Sequence, residues 1–123
     1  MKPDRITVAM HDEVFVLRQL GCCIQIAGLI RAINKAADLP AHKFSTADLA
    51  AMHRSDGLSR SHLAGISEQR LHEPLIVCEL RDEMWIVDGN HRLEKRLSLG
   101  IETTTAVVVP PELWTRYLEP FAL

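Results

Sequence analysis

Residues 75 to 109 leave this chain few ways to fold. Two apolar runs, Leu75 to Leu80 and Met84 to Val87, flank Arg81-Asp82-Glu83, and that spacing predicts a hairpin. Asp88-Gly89-Asn90-His91-Arg92 then closes the second strand and opens a helix over Leu93 to Leu99, stopped by Gly100. Ile101 to Val109 is dense in β-branched residues and predicts a further strand. A glycine followed by the first amides of a helix forms a ready anion site, because those amides have no intrahelical partner. An adjacent arginine adds a bidentate phosphate clamp. The turn therefore predicts a phosphorylated ligand, a nucleotide first of all.

The rest of the chain is read around that block. Arg5 to Met10 and Val14 to Leu17 predict short strands. An amphipathic helix is expected over about 22–37, with Cys23, Ile26, Ile30, Ile33 and Ala37 on its apolar face and Gln25, Gly28, Arg31 and Lys35 opposite. Pro40 ends it, since the residue before a proline disfavours helix. A second helix is expected from Ser45, with Asp48 completing a variant capping box, to about His53. Arg54 to His62 reads as a polar loop and Ser67 to Leu71 as a short helix. Pro110-Pro111 opens a last helix over Glu112 to Leu118. The whole reads as one α+β domain spanning 1–123.

Composition narrows the function classes. A hydrophobic share of 47% and a charged share of 24% are those of an ordinary globular protein. A net charge of −2 gives no overall basic field, so nucleic-acid binding is not favoured and would need a local patch. The three cysteines, Cys22, Cys23 and Cys78, make a poor disulfide framework and suit a reducing compartment, where they serve as small buried hydrophobes. The longest apolar stretch, 22–37, is interrupted by Gln25, Arg31, Asn34 and Lys35 and is not a membrane span. No signal-peptide pattern is seen, and the expected location is cytoplasmic.

Glu73-Pro74, the apolar strand, the turn, the second strand, Asp88-Gly89-Asn90-His91-Arg92, the amphipathic helix and Gly100 together resemble the ParB/sulfiredoxin superfamily. The resemblance covers about 62–109 and leaves the first 55 residues unmatched. It implies a small mixed sheet with flanking helices, in which the Gly-x-x-Arg turn holds nucleotide phosphates. Members include CTP-binding partition proteins, ATP-using sulfiredoxins and an ADP-dependent serine kinase, so ATP, ADP or CTP with Mg²⁺ is the implied cofactor set. Sulfiredoxins place a catalytic cysteine directly after the motif glycine, where this chain has Asn90, which argues against their chemistry. Partition proteins carry Gly-Glu-Arg-Arg and a later helix-turn-helix domain, against Gly-Asn-His-Arg here, which argues against centromere binding. The Asp-Gly-His-His-Arg turn of the serine kinases is nearer and directs attention to phosphoryl transfer, with a small molecule or protein as acceptor. Resemblance of fold does not by itself assign activity.

Each candidate residue has a functional and a plain reading. Gly89, Asn90, His91 and Arg92 would hold phosphates; on the plain reading a tight turn alone requires Gly89, and Arg92 pairs with Glu94 or Glu102. His91 would donate to phosphate or act in acid–base chemistry, preferably neutral because a helix start disfavours added positive charge. Asp88 is the candidate metal ligand and catalytic carboxylate, or else a cap. Glu73 is the first choice of general base, with Glu68 and Glu13 behind it. Lys95 and Arg96 read as a solvated basic stripe, and Arg54, Arg60 and His62 as a loop able to close on a ligand. Trp85 and Trp114 are expected in or beside the core. Asn90-His91 resembles the end of an HNH nuclease motif, but the upstream Asp-His pair is missing. The activity expected is an NTP-dependent hydrolase or phosphotransferase. The alternative is a non-catalytic regulatory module of plasmid, phage or bacterial origin. The apolar face of the 22–37 helix would pack on the core or form a homodimer.

Overall fold

The computed structural model describes residues 6–7, 14–17, 21–36, 38–54, 71–80 and 82–120, with the backbone alone for 53–54. In chain order the described elements are β1 (Val14–Leu17), β2 (Cys22–Gln25), α1 (Ile26–Lys35), β3 (Ala41–Ser45), α2 (Thr46–Ala50), β4 (His53–Arg54), β5 (Leu75–Leu80), β6 (Glu83–Asp88), α3 (Asn90–Ser98), β7 (Thr103–Val109), α4 (Pro111–Trp114), a 3-10 turn (Thr115–Tyr117) and β8 (Leu118–Pro120). The fold is α+β. Five strands form one sheet in the order β3-β7-β5-β6-β4, and three form another in the order β1-β2-β8.

The larger sheet is mixed: β5 pairs antiparallel with β6 and parallel with β7, β3 is antiparallel to β7, and β4 is parallel to β6. Alternation along β5 sends Ile76 and Cys78 to one face and Leu75 and Val77 to the other. The first face meets α1 (Ile26, Leu29, Ile30, Ile33), the small sheet (Phe15, Leu17, Ile24), Ile6 and Trp114. The second is covered by Leu49 of α2 and Leu93 of α3. Both faces of the central strands are therefore buried, which accounts for the unbroken apolar runs where a half-exposed strand would alternate. Trp114 is locked in place by its indole N–H, which donates to the Glu79 carbonyl at 2.9 Å. Among the described residues, no helix is long and apolar enough to cross a membrane.

The hairpin 75–88 forms where the sequence places it; the helix after it starts at Asn90, three residues before the expected Leu93, and the strand after that at Thr103, two residues after the expected Ile101. The first helix is shorter than expected. Cys22–Gln25 form a strand, paired with β1 on one side and β8 on the other, and the helix begins only at Ile26. Apolar spacing over 22–25 fits both periods, and two flanking strands satisfy its backbone. Gln25 then caps the helix, its Oε1 accepting from the Gly28 N–H at 2.8 Å. The apolar face of α1 packs into the core of its own chain, as one of the two expected outcomes; Ala37 lies outside the described residues.

The second helix is capped by Ser45, whose hydroxyl accepts from the Asp48 N–H at 3.4 Å, but it stops at Ala50 because 53–54 join the sheet beside β6. β3 carries no sequence signal: Ala-His-Lys-Phe-Ser is an exposed edge strand whose backbone finds β7. The last helix ends at Trp114 and gives way to β8, which pairs with β2. Ile6 and Thr7 are not in a strand. The remainder of the strand expected at Arg5 to Met10, the loop over 55–62 and the short helix before Leu71 lie outside the described residues, as do Glu13, Arg60, His62 and Glu68.

All three cysteines are free, with Cys23 and Cys78 buried and Cys22 half-buried. Burial pushes the Cys78 thiol up to about 12. The folded chain keeps this proton while the unfolded chain gives it up, so the stability involved is intact below about pH 8.5 and is lost as pH rises towards 12. We expect Cys78→Ala to flatten the alkaline fall in unfolding free energy measured by urea titration. We also expect iodoacetamide on the native protein to modify Cys22 well before Cys78, read by peptide mass mapping. Equal labelling of the two would contradict this arrangement.

Candidate functional site

The turn between β6 and α3 is built from the sheet outward. Asp88 is the last residue of β6 and pairs with Ile76, and the register shifts by a bulge between Ile76 and Val77. This places the approach to β5, Glu73-Pro74, alongside the exit from β6. Gly89 follows in the left-handed region at φ 98°, and Asn90 begins the helix. An L side chain rarely adopts that φ, and a Cβ here would also stand 2.5 Å from Leu75 Cδ2 and 2.9 Å from Arg92 Nη2. Gly89 is thus required twice, by backbone geometry and by close packing.

Arg92 folds back beneath the turn. Its Nη2 donates to Asp88 Oδ2 at 3.3 Å and to the Pro74 carbonyl at 3.2 Å. Arg92 is 4% exposed and Asp88 7%. The carboxylate partner of Arg92 is therefore Asp88, one helical turn back, in place of Glu94 or Glu102. The pair holds three pieces of chain together: the end of β6, the start of α3 and the residue ahead of β5. Arg92 Nε is buried and has no hydrogen-bond partner among the described residues. Asn90 is buried, and its side-chain amide donates to the Ile86 carbonyl at 3.4 Å. His91 is half-buried on the first turn of α3. No described side chain caps this helix.

Glu73 does not stand free as a base would. Its Oε1 accepts from the Thr7 N–H at 2.9 Å and from the Thr7 hydroxyl. Arg96 departs from the solvated stripe expected of it. It is half-buried, and its Nε donates to Thr104 Oγ1 at 2.8 Å, Nη1 to the Leu71 carbonyl at 3.1 Å and Nη2 to the Thr103 carbonyl at 2.7 Å. Burial pushes its guanidinium below the ordinary value. Thr104 in turn shares a hydrogen bond with Thr46, so Arg96 fastens α3 to β7 and α2. Lys95 is half-buried, and His72 is exposed.

The structure thus brings together Asp88, Gly89, Asn90, His91 and Arg92, with Glu73 attached through its neighbour Pro74. Sequence reasoning missed Pro74 as an acceptor, Thr7 as the partner of Glu73 and Arg96 as a tie. A Thr7–Glu73 contact spans 66 positions and leaves no local signal. The orphaned, buried Nε of Arg92 suits an anion. The donor set for a divalent cation is thinner, because Asp88 Oδ2 is already held by Arg92 and no group of three or more His, Cys, Asp or Glu side chains converges among the described residues. No family model matches the chain, and no curated protein or solved structure matches it significantly.

Proposed function

We propose that this chain is a nucleotide-binding protein of ParB/sulfiredoxin type that receives phosphate at Gly89 to Arg92. The observation that carries the reading is a buried arginine with an unpartnered Nε, lying beneath a left-handed glycine at a helix start that no described side chain caps. The helix start offers amides and a partial positive charge, and the guanidinium adds a full one. His91, half-buried on the same turn, would donate to a phosphate oxygen. Bound Mg²⁺ would supply charge neutralisation on the phosphates, with Asp88 as its protein ligand once Arg92 turns to the anion.

Whether the site turns its nucleotide over divides two versions of this proposal. An NTP-dependent hydrolase or phosphotransferase needs a free carboxylate to orient the attacking group. Engagement of Asp88 by Arg92 and of Glu73 by Thr7 favours the other version, a binding module without turnover. The deciding experiment is thermal unfolding against ATP, ADP, CTP and GTP with Mg²⁺, for the wild type, Arg92→Lys and His91→Ala. A nucleotide at about 100 times its Kd should add roughly 2.7 kcal/mol. The expected result is a shift with one nucleotide that shrinks in both variants. No shift with any of the four would sink the proposal, and Mg²⁺-dependent phosphate release would move it from module to enzyme.

A further inference from the structure

Arg92 carries more donors than the fold uses. Its Nη2 serves two acceptors, Asp88 Oδ2 at 3.3 Å and the Pro74 carbonyl at 3.2 Å. Nε, on the same edge of the guanidinium, is buried and donates to nothing among the described residues. A phosphate pairs best with arginine across such an edge, through two parallel bonds. Asp88 does not span it: the carboxylate reaches Nη2 and leaves Nε unused, and 3.3 Å is long for a charge-assisted bond. A Cβ on Gly89 would stand 3.3 Å from Arg92 Cζ, so the guanidinium lies against the start of α3, which no described side chain caps.

The two acceptors differ in how readily they give way. Pro74 offers a backbone carbonyl, held by the strand that begins at the next residue. Asp88 offers a side chain at the end of β6, with other rotamers open to it. A phosphate entering the Nε–Nη2 edge therefore displaces the carboxylate before the carbonyl. We propose that Asp88 is an internal counter-anion for Arg92, which an incoming phosphate group displaces, and that this competition sets the affinity of the turn for phosphorylated ligands. In the closed pair each charge compensates the other within a buried site. Once displaced, the carboxylate stands beside the ligand as a like charge and opposes it. The proposal rests on the nucleotide reading above and adds to it a residue that weakens binding of the free anion.

Isothermal titration of inorganic tripolyphosphate into the full chain tests this, with EDTA present to keep metal ions out of the comparison. Asp88→Asn keeps an acceptor for Nη2 and removes the charge, so it should bind about tenfold more tightly than the wild type. Glu102→Gln removes the same charge from an exposed position and should bind as the wild type does. Equal or weaker binding by Asp88→Asn would overturn the proposal and leave the phosphate site standing. An equal gain in both variants would also overturn it, as an effect of net charge alone. If Asp88→Asn does not fold, carbon-detected NMR of the wild type decides. Saturating tripolyphosphate should then shift the Asp88 carboxyl carbon together with Arg92 Nε, and a shift of Arg92 Nε alone counts against displacement. Failure of every protein to bind tripolyphosphate is a separate result: it removes the nucleotide reading, and this proposal with it.

Discussion

Replacing Arg92 with methionine should lower the unfolding free energy by about 3–5 kcal/mol, because it strands the Asp88 carboxylate in a site that is 7% exposed. The Pro74 carbonyl loses its guanidinium partner in the same step. Asp88→Asn should cost less, since an amide oxygen can still accept from Nη2. The double variant Asp88→Asn/Arg92→Met should be more stable than Arg92→Met alone, as no buried charge is then left without a counterpart. Urea unfolding of the four proteins measures the coupling directly. Additive costs would mean that the two side chains do not act as a pair. This is also why loss of nucleotide binding in an Arg92→Ala protein would be ambiguous, and why Arg92→Lys is the better probe: it keeps the charge and forfeits the fork.

Gly89→Ala should cost about 3 kcal/mol or more, the sum of a strained left-handed φ and an overpacked contact. Its new Cβ would fall 2.5 Å from Leu75 Cδ2, and Leu75 is fully buried in the cluster beneath α2 and α3, so it has no room to withdraw. Gly100 supplies the control. It is also left-handed, at φ 70°, but a Cβ there meets nothing within 4 Å, so Gly100→Ala should lose only about 1 kcal/mol. Equal thermal destabilisation by the two substitutions would show that the packing at Gly89 contributes nothing. A Gly89→Ala protein with its full stability would mean that the turn is not built as described.

The hairpin, the turn and most of the helix after it were legible in the sequence, because each rests on short-range chemistry, though the helix starts at Asn90 and not at the expected Leu93. Apolar runs of strand length, a polar break and a glycine at the strand–helix junction are local signals that packing then reinforced. The capping role of Ser45 and the proline-led start of α4 were legible for the same reason. Tertiary structure decided what had no local preference. Cys22–Gln25 could serve either period and became a strand because β1 and β8 lay on both sides. β3, polar and exposed, exists through its pairing with β7. The same division runs through the site. The residue types at 88–92 announced a turn suited to anions, but which oxygen Arg92 holds depended on the β5–β6 register, and the engagement of Glu73 by Thr7 came from 66 positions away. Local sequence sets which conformations a segment can adopt; partners brought in by the fold choose among them, because a buried polar group must find its acceptor wherever the chain supplies one.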